Sequence, residues 1–319
     1  MNIGIDLGGT NIAAAIVDSN GSITKRADIP TETKSGPNSV INGLLNVCEA
    51  LLDDIGETPR SIGIGVPGAI NNSKGEVIFT PNLPLRDINI VRELKEKYNC
   101  PIHLGNDANC AALGETIAGG AKGAKNVVMI TLGTGLGGGI IIDGRLHTGL
   151  TGAAGELGHM VILKDGRECG CGRYGCWESY ASATGLIRTA IEFMGAYRES
   201  FLWELCSGTA ENVDGKVIFK AFRMDDIAAR LTVELYIEHL AAGIANIINI
   251  LEPELICIGG GIGGAWDCID EPLRQLVDRE KFPRFPSQQP GTRIVKATLG
   301  NNAGIIGAAA LVDHLQSNT

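Results

Sequence analysis

Two glycine-turned hairpins, 125 positions apart, constrain the fold of this chain more than any other feature. The first runs from the apolar stretch NIGI through the turn DLGGT into IAAAIVD, and the second passes through TLGTGLGGG into IIID. Each pattern predicts a strand, a tight turn and a returning strand. The matching positions are Gly8 and Gly133, Ile16 and Ile141, Val17 and Ile142, Asp18 and Asp143. Such matches favour a duplicated architecture over coincidence.

The segments around these hairpins alternate between strand and helix patterns. SIGIGVPGAI reads as a buried strand that ends in a Pro-Gly turn, and VRELKEKY reads as an amphipathic helix. A long helical stretch, DDIAARLTVELYIEHLAAGIANIINIL, precedes the strand LICIGG. We therefore expect an α/β protein of two lobes with a ligand cleft between them, and a boundary near residues 110–125.

Composition excludes several classes of protein. The 319 residues carry a formal charge of −9 and a sequence pI of about 5.1, which argues against nucleic acid as the main partner. The start MNIGIDLGGTN lacks the features of a secretory signal, and no run of 18 apolar residues occurs. We expect a cytoplasmic protein without a membrane segment, in which nine cysteines do not form a disulfide framework.

Three of the cysteines form a metal-binding pattern in GELGHMVILKDGRECGCGRYGCWE. Cys169, Cys171 and Cys176 lie close together, and His159 precedes them by ten residues. Four such ligands suit one tetrahedral zinc ion, and a site with no open position would be structural. The remaining cysteines are interpreted as small core residues: Cys48, Cys100, Cys110, Cys206, Cys257 and Cys268.

The hairpin turns offer groups suited to phosphate. Gly8 and Gly9 allow backbone N–H groups to approach an anion, Thr10 adds a hydroxyl, and Asp6 offers an oxygen ligand for a hard cation. The second hairpin contains the same kinds of phosphate-binding group in Thr134 and Gly135. A plain glycine turn with a solvated aspartate explains the first motif equally well.

Two GxGxxG matches keep a dinucleotide-dependent oxidoreductase open as an alternative. Gly133, Gly135 and Gly138 form the first, but the β-branched IIID that follows predicts a strand where that fingerprint requires a helix. The second match is formed by Gly259, Gly261 and Gly264. It follows a strand pattern and could open a helix, so on its own it is ambiguous.

The motifs together resemble those of the ROK family of sugar kinases, and within it the bacterial glucokinases. They are DLGGTN, GVPG, PNLP, GNDANCAALGE, TLGTGLGGG, GELGH, CGCGRYGCWE and IGGGI, and they span nearly the whole chain. The resemblance implies a two-lobed, actin-like (ribonuclease H-like) ATPase fold. A small lobe of residues 1–115 would be completed by a helix at about 300–319, and residues 116–299 would form the large lobe with the zinc loop. It also suggests a homodimer.

The resemblance implies roles for individual residues. Asp107 would be the general base that accepts a proton from a sugar hydroxyl, although an aspartate capping the following helix is a reasonable alternative. Asp6 would hold Mg²⁺ directly or through water. The implied sugar contacts are Gly68, Asn82, Asn106, Asp107, Glu156, His159 and Glu178. The implied ATP contacts are Gly8, Gly9, Thr10, Asn11, Thr134, Gly135, Gly260 and Gly261.

The resemblance is incomplete at a few positions and does not choose among all relatives. Trp177 stands where a smaller aliphatic residue is common, and Asn301 and Asn302 stand near a position that is often acidic. Glucose is the expected acceptor; N-acetylglucosamine, N-acetylmannosamine, allose and fructose remain alternatives, and a donor other than ATP stays open. A sugar-responsive repressor is disfavoured because the first hairpin begins at residue 2, with no basic helix ahead of it.

Overall fold

The computed structural model of the chain describes residues 1–53, 55, 57–282 and 291–315. The chain divides into two compact units. Unit 1 comprises Met1–Met129, Gly138–Gly155 and Ala297–Thr319, and unit 2 comprises Ile130–Gly137 and Glu156–Lys296. The chain thus enters each unit more than once, and the last segment returns to the first unit.

The first five-stranded sheet has the order β3-β2-β1-β4-β8. Its strands are β1 (Asn2–Leu7), β2 (Asn11–Val17), β3 (Ile23–Pro30), β4 (Ser61–Val66) and β8 (Ile102–Asn106). β1 to β3 pair antiparallel, as the first hairpin motif predicts, whereas β4 and β8 run parallel to β1. The chain between β4 and β8 forms a separate, small antiparallel sheet. Its strands are β5 (Ala69–Asn71), β6 (Glu76–Phe79) and β7 (Arg86–Ile88).

The second five-stranded sheet repeats the order of the first, as β11-β10-β9-β12-β13. Its strands are β9 (Val127–Leu132), β10 (Leu136–Ile142), β11 (Arg145–Leu146), β12 (Leu255–Gly260) and β13 (Arg293–Lys296). The bounds of β9 and β10 are those of β1 and β2 displaced by 125 positions, which is the spacing of the sequence matches. The duplicated architecture predicted from the two glycine turns is therefore present.

Ten α-helices lie in the described residues. They are α1 (Pro37–Leu52), α2 (Ile90–Lys95), α3 (Asp107–Ala118), α4 (Glu178–Ala181), α5 (Ala183–Ala196), α6 (Phe201–Leu205), α7 (Gly215–Phe222), α8 (Ile227–Leu251), α9 (Trp266–Glu280) and α10 (Asn302–His314). Short 3-10 helices cover Leu157–His159, Ala210–Asn212 and Gly261–Ala265. The predicted C-terminal helix is thus shorter than residues 300–319, and positions 316–319 lie outside the described residues.

Helix α10 packs against the first sheet without intervening side chains. A Cβ atom added to Gly4 of β1 would collide with the carbonyl oxygen of Ile305, and one on Gly63 of β4 would collide with that of Ala308. Glycines at the contact let the helix backbone approach the strands closely. This packing holds the C-terminal segment within unit 1 and closes the sheet on one face.

Helix α8 is the core helix of unit 2. Among the residues that the structure describes, it alone has the length and apolar character to cross a membrane, but 61% of its most apolar 18-residue window is buried within the protein. Thirteen of its residues are buried. A buried helix of this kind is typical of a protein core.

Candidate active site and metal-binding loop

The structure brings the four predicted metal ligands together. The ligand atoms of His159, Cys169, Cys171 and Cys176 all lie within 4.8 Å of one another. Cys171 Sγ lies 3.7 Å from Cys176 Sγ, and Cys169 Sγ lies 3.7 Å from His159 Nδ1. Zn–S bonds of about 2.3 Å in a tetrahedron place sulfurs about 3.8 Å apart. The donor set and its spacing therefore fit one tetrahedral metal ion.

Glycines allow the loop to turn around this point. Gly172 has φ 84° and its N–H donates to the carbonyl of Cys169 over 2.9 Å. Gly175 has φ 79°, and a Cβ atom there would collide with the carbonyl of Leu163. Positive φ is the region that glycine adopts without steric cost. The loop from His159 to Cys176, called the metal loop below, thus needs its glycines as well as its ligands.

The thiols of the metal loop differ in how readily they ionise. Burial, followed by the neighbouring sulfurs of Cys171 and Cys169, raises the pKa of Cys176 to about 12. A backbone N–H at Arg173 lowers the pKa of Cys171, which is exposed. Because a metal binds the thiolate, metal binding must release protons here and favour high pH.

His159 presents its two ring nitrogens to different partners. Nδ1 faces Cys169, whereas Nε2 lies 3.9 Å from a carboxylate oxygen of Glu156. The side chain of Glu156 is 60% exposed and that of His159 33% exposed. One imidazole can thus serve a metal on one side and a polar ligand on the other.

Asp107 opens helix α3 directly after strand β8. The preceding residue, Asn106, is the N-cap: its Oδ1 accepts the N–H groups of Ala108 and Asn109 over 3.0 and 3.3 Å. Asp107 Oδ1 also lies 2.9 Å from the N–H of Ala108, and its side chain is exposed. The capping role considered for Asp107 therefore falls mainly to Asn106. The first turn of a helix favours a carboxylate anion because the helix dipole is positive there.

Both the oxygen and the nitrogen of the Asn106 side-chain amide make hydrogen bonds within unit 1. Besides capping α3, its Nδ2 donates to the carbonyl of Gly68 over 3.3 Å. Gly68 has φ 111°, and a Cβ atom there would collide with the carbonyl of Phe79. Asn106 thus fixes the GVPG turn beside Asp107, and its second Nδ2 hydrogen is what could reach a ligand.

Asp6 lies at the end of β1 in an unfavourable place for negative charge. Burial raises its pKa to about 6, with a further contribution from the charge of Asp107, and Arg26 opposes both. A Cβ atom on Gly304 of α10 would lie 3.2 Å from the Asp6 carboxylate. A bound cation would relieve the repulsion between the two carboxylates, so the surroundings of Asp6 fit a site for a hard cation.

The first glycine hairpin exposes Gly9, Thr10 and Asn11. Its turn is closed by a hydrogen bond from the N–H of Gly8 to the carbonyl of Asn11 over 2.9 Å. Asn82 lies beside it, since a Cβ atom on Gly9 would be 3.4 Å from Asn82 Cβ. Thr31, which the sequence analysis did not single out, donates its hydroxyl to the carbonyl of Gly8 over 2.7 Å.

The second hairpin turn, in unit 2, has the same length as the first but a different closing hydrogen bond. The N–H of Gly133 donates to the carbonyl of Gly135 over 3.0 Å, and Thr134 is exposed. Gly260, at the end of β12, has φ 94°, and a Cβ atom there would collide with Leu132. Gly261 next to it is exposed. The end of β12 thus lies beside the strand that leads into the hairpin.

The fold excludes a dinucleotide site at the first of the two GxGxxG motifs. Gly133, Gly135 and Gly138 lie in and after a turn between the neighbouring strands β9 and β10, so no helix follows them. Gly259 and Gly261 do follow a strand, and a 3-10 helix and α9 come after them. β12, α9 and the parallel strand β13 form a βαβ unit, so this topology does not by itself distinguish the second motif from a dinucleotide site.

Glu178 lies next to the second hairpin. Its Oε2 accepts the N–H of Leu136 over 2.8 Å, and its Oε1 lies 3.7 Å from Cys169 Sγ. A Cβ atom on Gly135 would collide with the carboxylate. The family resemblance implied that Glu178 contacts the sugar. The sequence carried no signal for the contacts with the hairpin, because Leu136 and Glu178 lie more than 40 residues apart in the chain.

Trp177, whose role the sequence left open, is a buried anchor. Its side chain is 0% exposed, and its Nε1 donates to the carbonyl of His239 over 2.8 Å. A Cβ atom on Gly243 would collide with the indole ring. The end of the metal loop is therefore held against α8 by a large aromatic side chain that requires a glycine opposite it.

The sequence did not predict two further polar residues, of which Glu115 is buried and Arg167 is partly buried. Glu115 is 0% exposed, and its carboxylate accepts backbone N–H groups of Gly120, Thr298 and Leu299. Arg167 of the metal loop donates to the carbonyl of Gly185, to Thr189 Oγ1 and to Glu192. Both hold segments in place, and neither type of residue is normally predicted to be buried.

Comparison with known proteins assigns the chain to a family. A family model described as the ROK family matches residues 2–314. A glucokinase of Streptomyces coelicolor is 36% identical over 98% of this chain and 97% of that protein. A xylose repressor of Bacillus spizizenii is 29% identical over 98% of this chain and 76% of that protein.

A solved structure agrees with the family match. The ROK family glucokinase of Streptomyces griseus in complex with glucose and AMPPNP is 33% identical, covers 97% of this chain and 98% of its own, and gives a TM-score of 0.79. The expected actin-like sugar kinase fold is thereby confirmed. The chain belongs to the ROK family.

Proposed function

We propose that this chain transfers the γ-phosphoryl group of ATP to glucose, with Asp107 as the general base. The chain is a sugar kinase, and the proposal names its donor, its acceptor and its base. The observation that carries it is the placement of Asp107. Its carboxylate is exposed at the start of α3, and Asn106 is the residue that caps this helix. Identity to glucokinases, at 36%, also exceeds the 29% found for a xylose repressor.

The chemistry requires a proton to leave a poor nucleophile. Asp107 accepts the proton of a sugar hydroxyl as that oxygen forms a bond to the γ-phosphorus of ATP, and the bond from this phosphorus to the bridging oxygen of ADP breaks. Asn106, Gly68 and Asn82 are proposed to contact the sugar. Because Asn106 holds the Gly68 turn, one residue positions both the base and a turn beside it.

The remaining proposed sugar contacts are Glu156, His159 and Glu178. His159 combines a metal-facing Nδ1 with an Nε2 directed toward Glu156, so it can donate to or accept from a hydroxyl while it binds a metal. Carboxylates such as Glu156 accept hydrogen bonds from sugar hydroxyls and so fix their orientation. The metal loop therefore shapes the sugar site and takes no part in the chemical step.

The phosphate contacts proposed for ATP are the two glycine hairpins, with Gly260 and Gly261. Both turns leave backbone N–H groups next to exposed threonines, Thr10 and Thr134. Mg²⁺ bound with ATP would neutralise charge that develops on the phosphates. Asp6 would hold it, because a buried carboxylate beside a second carboxylate gains most from a cation.

Zinc is the metal proposed for the metal loop. Three thiolates and one imidazole in tetrahedral spacing suit zinc, and four protein ligands leave no position for water. The site would be structural. A homodimer and a cytoplasmic location remain predictions.

A coupled ADP-release assay across hexoses and N-acetylhexosamines tests the proposal. We expect glucose to give the highest kcat/KM with ATP, and Asp107→Asn to remove turnover while glucose binding persists. A preference for N-acetylmannosamine or another sugar would refute glucose as the acceptor. Absence of turnover with every sugar and with ATP or polyphosphate would refute the kinase proposal and favour a sugar-sensing protein.

A further inference from the structure

We propose that the segment Trp177–Thr184, called the brace below, positions the second glycine hairpin for nucleotide, and that Glu178 and Thr184 are its positioning residues. The inference rests on the proposed function, because it assigns this hairpin to ATP. It gives the metal loop a second task, which is to support the phosphate-binding turn in addition to the sugar site.

The brace makes three hydrogen bonds to the hairpin, one each to Gly133, Thr134 and Leu136. Glu178 Oε2 accepts the N–H of Leu136 over 2.8 Å. The N–H of Ala183 donates to the carbonyl of Gly133 over 2.9 Å, and Thr184 Oγ1 donates to the carbonyl of Thr134 over 2.8 Å. A glycine turn has few intrinsic preferences, so external hydrogen bonds decide which conformation it keeps.

The same device occurs at the first hairpin, in unit 1. Thr31 Oγ1 donates to the carbonyl of Gly8, and the N–H of Thr31 donates to the carbonyl of Thr10 over 2.9 Å. Thr31 follows β3, whereas Thr184 lies in α5, so different segments supply the hydroxyl in the two halves. A threonine that fixes the turn at both hairpins indicates that the turn conformation itself matters.

The brace is fixed at its own ends. Trp177 is buried against Gly243 of α8 and bonded to the carbonyl of His239. Cys176, the preceding residue, is a predicted metal ligand, and Cys169 Sγ lies 3.7 Å from Glu178 Oε1. Ser182 caps α5 by accepting the N–H of Gly185 over 3.0 Å. Order in the metal loop is therefore transmitted to Leu136 through a short, packed segment.

Hydrogen exchange of the Leu136 amide tests this directly in the metal-loaded protein without substrates. We expect Glu178→Ala to raise the exchange rate about tenfold, because the amide loses a charged acceptor. Glu178→Gln, which keeps an acceptor oxygen, should raise it less. Glu168→Ala, an exposed carboxylate of the same loop, should leave it unchanged. Unchanged exchange in Glu178→Ala would overturn the inference.

Steady-state kinetics of Thr184 variants separate positioning from general damage. Thr184→Val should raise the KM for ATP about three- to tenfold and leave the KM for the sugar unchanged, because only the bond to Thr134 is lost. Thr184→Ser, which keeps the hydroxyl, should restore the parent KM. An equal rise in both KM values, or a serine variant that behaves like valine, would contradict positioning.

Removal of the metal provides a readout independent of turnover. Chelation should raise the exchange of the Leu136 amide by a factor similar to that of Glu178→Ala, and the two changes together should add little to either alone. Full protection of Leu136 in metal-free protein would refute the link between the metal loop and the hairpin. If hydrogen exchange of the Leu136 amide behaves as expected but no sugar is phosphorylated, the proposed function is wrong, whereas the inference that the brace positions the hairpin is retained.

Discussion

Replacing Asp6 by asparagine should stabilise the protein, increasingly so as the pH rises. In the folded chain, burial and the charge of Asp107 raise the pKa of Asp6 from 3.8 to about 6. A carboxyl group with a raised pKa binds its proton more tightly when folded, so its contribution favours folding at low pH and is lost as the pH passes through about 6. Ionised Asp6 therefore costs stability near neutral pH.

The magnitude follows from the two pKa values. With about 3.8 in the unfolded chain and about 6 in the folded one, the cost of Asp6 is about 2 kcal/mol at pH 5 and about 3 kcal/mol at pH 7.5. Asparagine has the same shape as aspartate but carries no ionisable group, so the substitution removes the proton equilibrium of residue 6. The advantage of Asp6→Asn over the parent protein should therefore grow by about 1 kcal/mol between these two pH values.

Urea unfolding at pH 5 and pH 7.5, in buffer without magnesium or nucleotide, measures this difference. Glu199→Gln, which removes one charge from an exposed position, is the matched control and should show no such trend. Asp107→Asn should itself lower the pKa of Asp6, because the charge of Asp107 contributes to raising it. A constant or shrinking advantage of Asp6→Asn over this pH range would refute the proposed environment of Asp6.

Three other predictions concern the base, the metal and the packing of the metal loop. Asp107→Asn should reduce kcat by about 10²- to 10⁴-fold with little change in glucose affinity measured by calorimetry; near-normal turnover would exclude Asp107 as the base. The parent protein should contain close to one zinc per chain by mass spectrometry of the metal, and Cys171→Ser should lose both zinc and thermal stability; a zinc-free, stable parent protein would contradict the structural site. Gly243→Ala should destabilise the protein by about 1–3 kcal/mol because its Cβ collides with Trp177, whereas Gly195→Ala, where a Cβ meets nothing within 4 Å, should not; equal effects in the two variants would argue against the Trp177 contact.

Local pattern was enough to predict much of the fold and the metal ligands. The glycine turns and their 125-residue spacing predicted the duplicated hairpins, because a hairpin is a local structure whose turn chemistry can be read directly. His159 and the three cysteines were predicted as one cluster, since few residue types bind zinc and their spacing along the chain is short. The residue pattern predicted a helix directly after Asp107, and α3 begins at that residue.

Other features depend on contacts between segments that are distant in the chain. Asn106, and not Asp107, caps α3, and this could be decided only from the backbone geometry at the helix start. The sequence could not indicate that Glu178 accepts the amide of Leu136, or that Trp177 needs Gly243 opposite it, because each pair lies more than 40 residues apart. The sequence alone thus determined the two hairpins and the grouping of His159 with the three cysteines, which are local properties of residue type and spacing, and its resemblance to a family indicated the kind of chemistry. Only the tertiary structure decided how the metal loop is attached to the second hairpin, because close packing between distant segments fixes which polar groups meet.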